Sequence, residues 1–408
     1  MKKINDILKK LGPGLLFAGA AIGVSHLVQS TRAGADFGWG LVWALLIINI
    51  FKYPFFQYGP RYAISTGKTL LDGYYKLGKG YLWFYFILNF ATMFTIQTAV
   101  TIVTAGLASE LFGLTENMVI WSVIITIFCS LILILGKYKT LDKVIKIIII
   151  VLAISSFLAL LFAFSNNDNS ISIKQIFPRG EGLLFLIAFM GWMPAPLDIS
   201  IWHSIWTLEK NKIQKKKIKI TDSMFDFNVG YLTTVILGLC FIGLGALVMN
   251  GSGESFSNQG GVFAKQLINL YTSNLGEGAY LIIAIAAFTT MFSTTITTLD
   301  ASPRAMSKTI QLLFKKEKDY YIYWIIILAS GTSLIFIFLL SEMGKLVQIA
   351  TVLSFITAPI YAFLNYKLVN SDQVPKDLQP SKKLKFLSNL GLIFLTGFTL
   401  FYLLSLGS

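Results

Sequence analysis

Charge is scarce in this sequence, and so are the side chains that usually carry catalysis or metal binding. Only 13% of its 408 residues are charged and 55% are apolar, with a mean hydropathy of +0.68. A soluble domain carries roughly 25% charged residues, so an ordinary water-soluble globule is excluded. Two cysteines, Cys129 and Cys240, lie inside apolar stretches and indicate neither a disulfide framework nor a thiolate metal site. Imidazole is limited to His26 and His203. No span has the short apolar core and small-residue cleavage site of a signal peptide. The glycine-rich pieces Gly251-Ser252-Gly253 and Gly260-Gly261 lack a strand–helix context, so no nucleotide site is indicated. Without a phosphate-binding loop, energy for any vectorial process must come from ion gradients or the membrane potential.

What is present is a series of apolar stretches of ~20 residues, the length that crosses a hydrocarbon core. We count eleven, the first centred near Ala20 and the last near Phe394. The formal charge of +14 does not point to nucleic acid, because its placement follows a membrane rule. With the N-terminus in the cytoplasm, 28 of the 34 Lys and Arg residues fall in cytoplasmic segments and four in outer loops: Lys174, Arg179, Lys265 and Lys345. Arg32 and Lys52 lie near or within spans. Such a bias sets topology and predicts a multi-pass protein of the cell (inner or plasma) membrane with its C-terminus outside.

Two spans are interrupted near their middle. The first, from about Gly12 to Phe37, carries Gly23-Val24-Ser25-His26 there. The sixth, from about Gly182 to Trp206, carries Met193-Pro194-Ala195-Pro196-Leu197-Asp198. Helix breaks at membrane depth persist only where they line a cavity or are packed in protein. Breaks at matching places in two halves of a chain point to the substrate site of a carrier. Five spans precede the second break and five run from it to the tenth, and an odd number inverts the second copy. The expected architecture is a single transmembrane domain over residues 1–408. It comprises a first repeat of about 12–164, a second of about 181–366 and an extra span of about 387–406. A short amphipathic helix is expected at 262–270.

Gly12-Pro13-Gly14 opening the first span resembles the start of the Nramp (natural resistance-associated macrophage protein) divalent-metal transporters. So do Gly34-Ala35-Asp36-Phe37-Gly38-Trp39-Gly40-Leu41-Val42-Trp43 closing it and the following Arg61-Tyr62-Ala63-Ile64-Ser65-Thr66-Gly67-Lys68. Met193-Pro194 followed by His203-Ser204 resembles the family's sixth span. The resemblance implies an all-α LeuT-type fold of 5+5 inverted repeats, with a divalent metal held where spans one and six unwind. The metal is then cargo, and no cofactor is implied. Departures accompany the matches. The family's Asp-Pro-Gly-Asn motif falls on Gly23-Val24-Ser25-His26, so Gly23 replaces the ligand Asp and His26 the ligand Asn. In span six, Met193 keeps the family's thioether if Pro194 is the family proline, and Ala195 replaces it if Pro196 is. The charged residues that family members use for proton transfer in spans three and nine are missing, since 81–109 and 320–340 contain no ionisable group except tyrosines. Proton coupling is accordingly expected to be weak or absent.

An ionisable group at membrane depth is a functional candidate by default. Asp198 supplies negative charge beside the second break, or caps the half-helix that follows, a role Asp fills well. His26 offers a ring nitrogen, and the unwound backbone at Gly23 and Ala195 offers oxygens; a thioether from Met193 would favour softer metals. Ser25, Pro194 and Pro196 make the breaks. His203 is a relay or gate candidate, or a hydrogen-bonded packing residue. Arg32 and Asp36 form an i, i+4 pair near the outer end of span one, readable as an ion pair or as a gate. Asp300 closes the hydroxyl-rich run 289–300 as a pathway residue or as a partner of Arg304. The leading function is secondary transport of a divalent metal cation, of manganese/iron type or magnesium. The alternative is a LeuT-type carrier of an amino acid or other small organic solute. A channel or sensor ranks next, and a membrane enzyme last, for want of a paired nucleophile. The partners expected are the bilayer and the cation, with no nucleic acid and a chain able to work as a monomer.

Overall fold

A computed structural model describes residues 10–165, 172–213, 218–250, 265–269, 272, 280–339 and 343–405. The expected amphipathic segment falls largely outside these residues, with only 265–269 helical. Among the described residues there are helices and no strands. The helices are α1 (Pro13–Ala21), α2 (Ser25–Phe37), α3 (Val42–Thr66), α4 (Leu70–Leu77), α5 (Lys79–Phe112), α6 (Met118–Ser165) and α7 (Glu181–Trp192). They continue with α8 (Ile199–Ile213), α9 (Ile220–Val248), α10 (Tyr280–Phe314), α11 (Tyr321–Phe338), α12 (Met343–Val369) and α13 (Lys382–Ser405).

Seven described segments are long and apolar enough to cross a membrane, and the α1–α2 pair, bent by 51°, makes another crossing. α3 and α10, of 25 and 35 residues, are long enough but carry more polar residues. Side chains such as Leu135 (78% exposed) and Ile393 (71%) cover the outer surface, as lipid contact requires. α6 runs through the short basic stretch between two apolar segments as one 48-residue helix. A straight helix of that length would reach roughly 72 Å, over twice the hydrocarbon core. Its two apolar segments, Met118–Gly136 and Thr140–Ser165, are therefore separate crossings. The linker between them is short and contains no proline, so nothing stops the helical hydrogen-bond ladder.

The broken crossings pack reciprocally: α1 and α2 lie along α9, and α8 lies along α3. Glycine makes both approaches close. A Cβ at Gly34 would fall 2.0 Å from the Ile242 carbonyl oxygen, and one at Gly245 would fall 2.1 Å from that of Thr31. Small residues that let backbones touch are the usual means of helix association in lipid. On the face bearing the N-terminus, Asp226 of α9 accepts the Gly12 and Gly14 N–H groups at 2.8 and 2.9 Å, covering the free donors that open α1. Asp226 is thereby a helix cap.

Gly245→Ala should lower the melting temperature in detergent by an amount corresponding to ~1–3 kcal/mol of overpacking. Gly397→Ala, with open space around it, should melt like the wild type. Equal melting of all three proteins would show that α2 and α9 do not touch through their backbones.

Candidate substrate site between the two helix breaks

Each break exposes the carbonyls of a helix end, and each is covered by a different neighbour. α1 stops at Ala21, and the chain turns through Ile22 and Gly23 before re-forming at Ser25, where Ser25–Ser30 is a wide π-type turn. Thr294 of α10 sets its Oγ1 2.9 Å from the Gly19 oxygen and 3.1 Å from that of Ile22. A Cβ at Gly23 would meet the Thr294 methyl at 2.7 Å, so only glycine fits there without displacement. α7 stops at Trp192, and Met193 to Asp198 form an irregular stretch with a cis Met193–Pro194 peptide before α8 begins. Here the donor is Lys52 of α3. Its Nζ donates to the carbonyls of Met190, Gly191, Met193 and Ala195 at 2.9, 2.7, 3.1 and 3.3 Å. The Ser25 hydroxyl, 2.7 Å from the Ala21 oxygen and 3.4 Å from that of Pro194, links the two breaks.

Between the breaks lies a cavity of about 430 Å³ of empty space, part of it open. Its polar lining is Ser25, Thr294, Thr298 and Asp198, and its apolar walls include Trp192 and Trp202. Asp198 is the only ionisable residue among those that line it. The carboxylate is buried just before α8 begins. A second space of about 280 Å³ lies across the Pro196-Leu197-Asp198 segment, lined by Thr92, Thr357 and Tyr361 among others. Asp198 borders both.

Gly23, Ser25, Ala195, Pro196 and Asp198 are brought together around the cavity. Met193 and His26 are not among its lining residues. Met193 is fully buried, and it is its carbonyl, rather than a thioether facing the cavity, that is engaged, by Lys52. The His26 ring is fully buried, with Nδ1 2.8 Å from the Ser25 Oγ and 3.0 Å from the Ala21 oxygen, and Nε2 3.0 Å from the Thr234 oxygen. Both nitrogens face protein partners, and neither is open to a cation in this structure. The reason is steric: α2 packs so closely on α9 that the ring projects into the helix interface.

The relay and gate candidates lie away from the cavity. His203 is stacked on Phe17 and tilted against Phe227, at centroid distances of 5.6 and 5.8 Å, and its buried Nδ1 has no partner. Arg32 sits over the Phe185 ring at 5.7 Å, and Asp36 is exposed at the outer end of α2. Asp300 is fully buried and pairs with Arg304 at 2.8 Å, as the i, i+4 spacing suggested. It also accepts from Trp206 Nε1 at 3.0 Å and from the Tyr321 hydroxyl at 2.6 Å, joining α8, α10 and α11. Among the described residues no three His, Cys, Asp or Glu side chains converge on one point.

Sequence reasoning assigned Lys52 no role, although a lysine inside an apolar span was the available signal. Gln97 was also missed. It donates to the Thr295 carbonyl and accepts from Thr298, tying α5 to the hydroxyl-rich run of α10.

A helical bundle whose first and sixth crossings break and face each other across a cavity is a membrane carrier of the LeuT type. Solved structures share that fold. A manganese transporter of Eremococcus coleocola superposes with a TM-score of 0.72 over 97% of this chain and 86% of its own, at 13% identity. MhsT in complex with L-phenylalanine does so with 0.67 over 94% and 97%, at 15% identity. The chain belongs to the Nramp family, described as natural resistance-associated macrophage protein-like, whose sequence model matches residues 14–405. This is a family of transporters, not of enzymes. Among relatives, an uncharacterized protein of Pasteurella multocida is 38% identical over 96% of this chain and 91% of its own. The metal transporter Nramp6.2 of Populus trichocarpa is 26% identical over 76% of this chain, which spans only 59% of that protein.

His26→Ala would remove the imidazole contacts with the Ala21 and Thr234 carbonyls and leave a hole between α2 and α9, a loss of about 1–3 kcal/mol. The expected result is a lower melting temperature with an unchanged order of preference among manganese, iron, cobalt and magnesium. A changed order in a protein of wild-type stability would instead make His26 a ligand.

Proposed function

We propose that the chain is a secondary transporter that carries a divalent metal cation through the cavity between the two breaks. One observation carries this reading: a single buried carboxylate, Asp198, borders the cavity together with the Ser25, Thr294 and Thr298 hydroxyls. With His26 and Met193 turned away, the donors are all oxygen. Such a set suits hard cations, magnesium or manganese, better than soft ones. The family, and relatives named as metal or manganese transporters, support the same reading. The placement of Lys and Arg along the chain supports a cell-membrane location with the N-terminus cytoplasmic and the C-terminus outside. We read residues 1–408 as one transport domain of two inverted repeats, about 12–164 and 181–366, with an extra span at about 387–406, working as a monomer.

A second reading, carriage of a small organic amine or amino acid, is favoured by the walls of the cavity, where Trp192, Trp202 and other apolar side chains surround a few polar groups, as in small-molecule sites. Uptake by proteoliposomes separates the two, with metal-sensitive fluorophore quenching set against labelled amino-acid accumulation.

In the first reading, Asp198→Asn should cut metal uptake by about tenfold or more, equivalent to at least ~1.4 kcal/mol of lost interaction, while the protein still folds. Wild-type transport by folded Asp198→Asn would remove the carboxylate from the mechanism.

Proton coupling is expected to be absent or weak. α5 and α11 supply no acid, base or histidine inside the bilayer, and His203 is enclosed by phenylalanines. A relay needs ionisable groups along its path. The membrane potential contributes about 2.3 kcal/mol per charge per 100 mV, and twice that for a dication. Internal pH, followed during metal uptake at clamped potential, should therefore stay constant. Stoichiometric acidification that disappears in His203→Ala would refute uncoupled movement.

A further inference from the structure

The end of α7 is built like a cation site, and the chain fills it with its own ammonium group. Lys52 is fully buried, and four carbonyl oxygens stand within 3.3 Å of Nζ. An ammonium carries three donors, so four oxygens around it form a cage shared among them rather than one-to-one bonds. Carbonyls released where a half-helix ends, at the negative pole of its dipole, are the group that coordinates small monovalent cations in carriers with broken helices. A sodium or potassium ion entering this cage would have to displace a tethered charge that never diffuses away.

We propose that Lys52 is a resident counter-cation: it occupies the carbonyl cage of the second break permanently, so the broken helix stays folded without a dissociable monovalent cation. The position of Lys52 on α3 makes the tether stiff, since α3 is pressed onto α8. A Cβ added at Gly59 would fall 2.2 Å from the Ser200 carbonyl oxygen. The two breaks are therefore covered differently, the first by a hydroxyl and the second by the Lys52 amino group. This role is independent of which solute crosses the membrane, and its test does not use transport.

The test is thermal unfolding of the purified full-length protein in sodium, potassium and choline chloride at equal ionic strength. The wild type should melt at the same temperature in all three. Lys52→Met, which keeps the bulk of the stem and removes the charge, should melt lower in choline. It should recover several degrees in sodium or potassium, with a concentration dependence that reports binding to the folded state alone. A wild type stabilised by sodium or potassium over choline overturns the proposal. So does a Lys52→Met protein that is equally stable to the wild type in choline, or equally destabilised in all three salts. Should Lys52→Met not be recovered folded, Lys52→Ala prepared in ethylammonium chloride decides. Rescue by ethylammonium relative to choline supports a cation in the cage, and absence of rescue overturns it.

Discussion

Hydrocarbon offers a backbone carbonyl no hydrogen-bond donor, so every helix that stops inside a membrane must find donors within the protein. Two crossings of this chain stop there, and the surrounding bundle is arranged to supply what they lack. Thr294 reaches the end of α1 from α10, and Lys52 reaches the end of α7 from α3. Remove these donors and the breaks become unpaired polar groups in apolar surroundings, costing several kcal/mol each. The cavity exists because the breaks exist, and the breaks persist because neighbouring helices complete their hydrogen bonding.

The same constraint explains the close helix contacts. A donor on α3 or α10 serves a break on another helix only if the helices are held at fixed depth and rotation. The backbone contact of Gly59 with Ser200 holds α3 so, and the close approach of Gly23 to Thr294 does the same for α10. The reciprocal packing, α1–α2 on α9 and α8 on α3, is the pattern expected of two inverted copies. It places the buried Asp198 carboxylate, next to the start of α8, at the wall between two spaces. A group so placed is rigid, which suits a site whose selectivity depends on charge and donor geometry.

Departures from the family's motif acquire a physical sense at this level. Where the resemblance implies an aspartate, Gly23 lies so near Thr294 that a side chain would collide with it. Where it implies an asparagine, His26 faces α9 and bonds the Thr234 carbonyl. Negative charge has left the first break, and positive charge stands at the second, with Asp198 alone bordering the cavity.

The sequence by itself determined that the chain crosses the membrane repeatedly, because apolar runs of spanning length and the lopsided placement of Lys and Arg are local, additive signals. It also marked where the two crossings break, at Gly23 and at Pro194-Ala195-Pro196, where two prolines within one turn remove two backbone donors, and it placed Asp198 beside the second break. Spacing along the chain carried the pairing of Asp300 with Arg304, because i, i+4 neighbours on a helix meet whatever surrounds them. The tertiary structure decided which way side chains at the breaks face. Whether His26 looks into the cavity or into α9, and whether Met193 offers sulfur or carbonyl, depends on the rotation of helices packed against partners more than a hundred residues away. Lys52 shows this most plainly. Along the sequence it is an anomalous charge in an apolar span; only folding brings it to four carbonyls some 140 residues distant, 138 to 143 positions along the chain, and turns the anomaly into a bond.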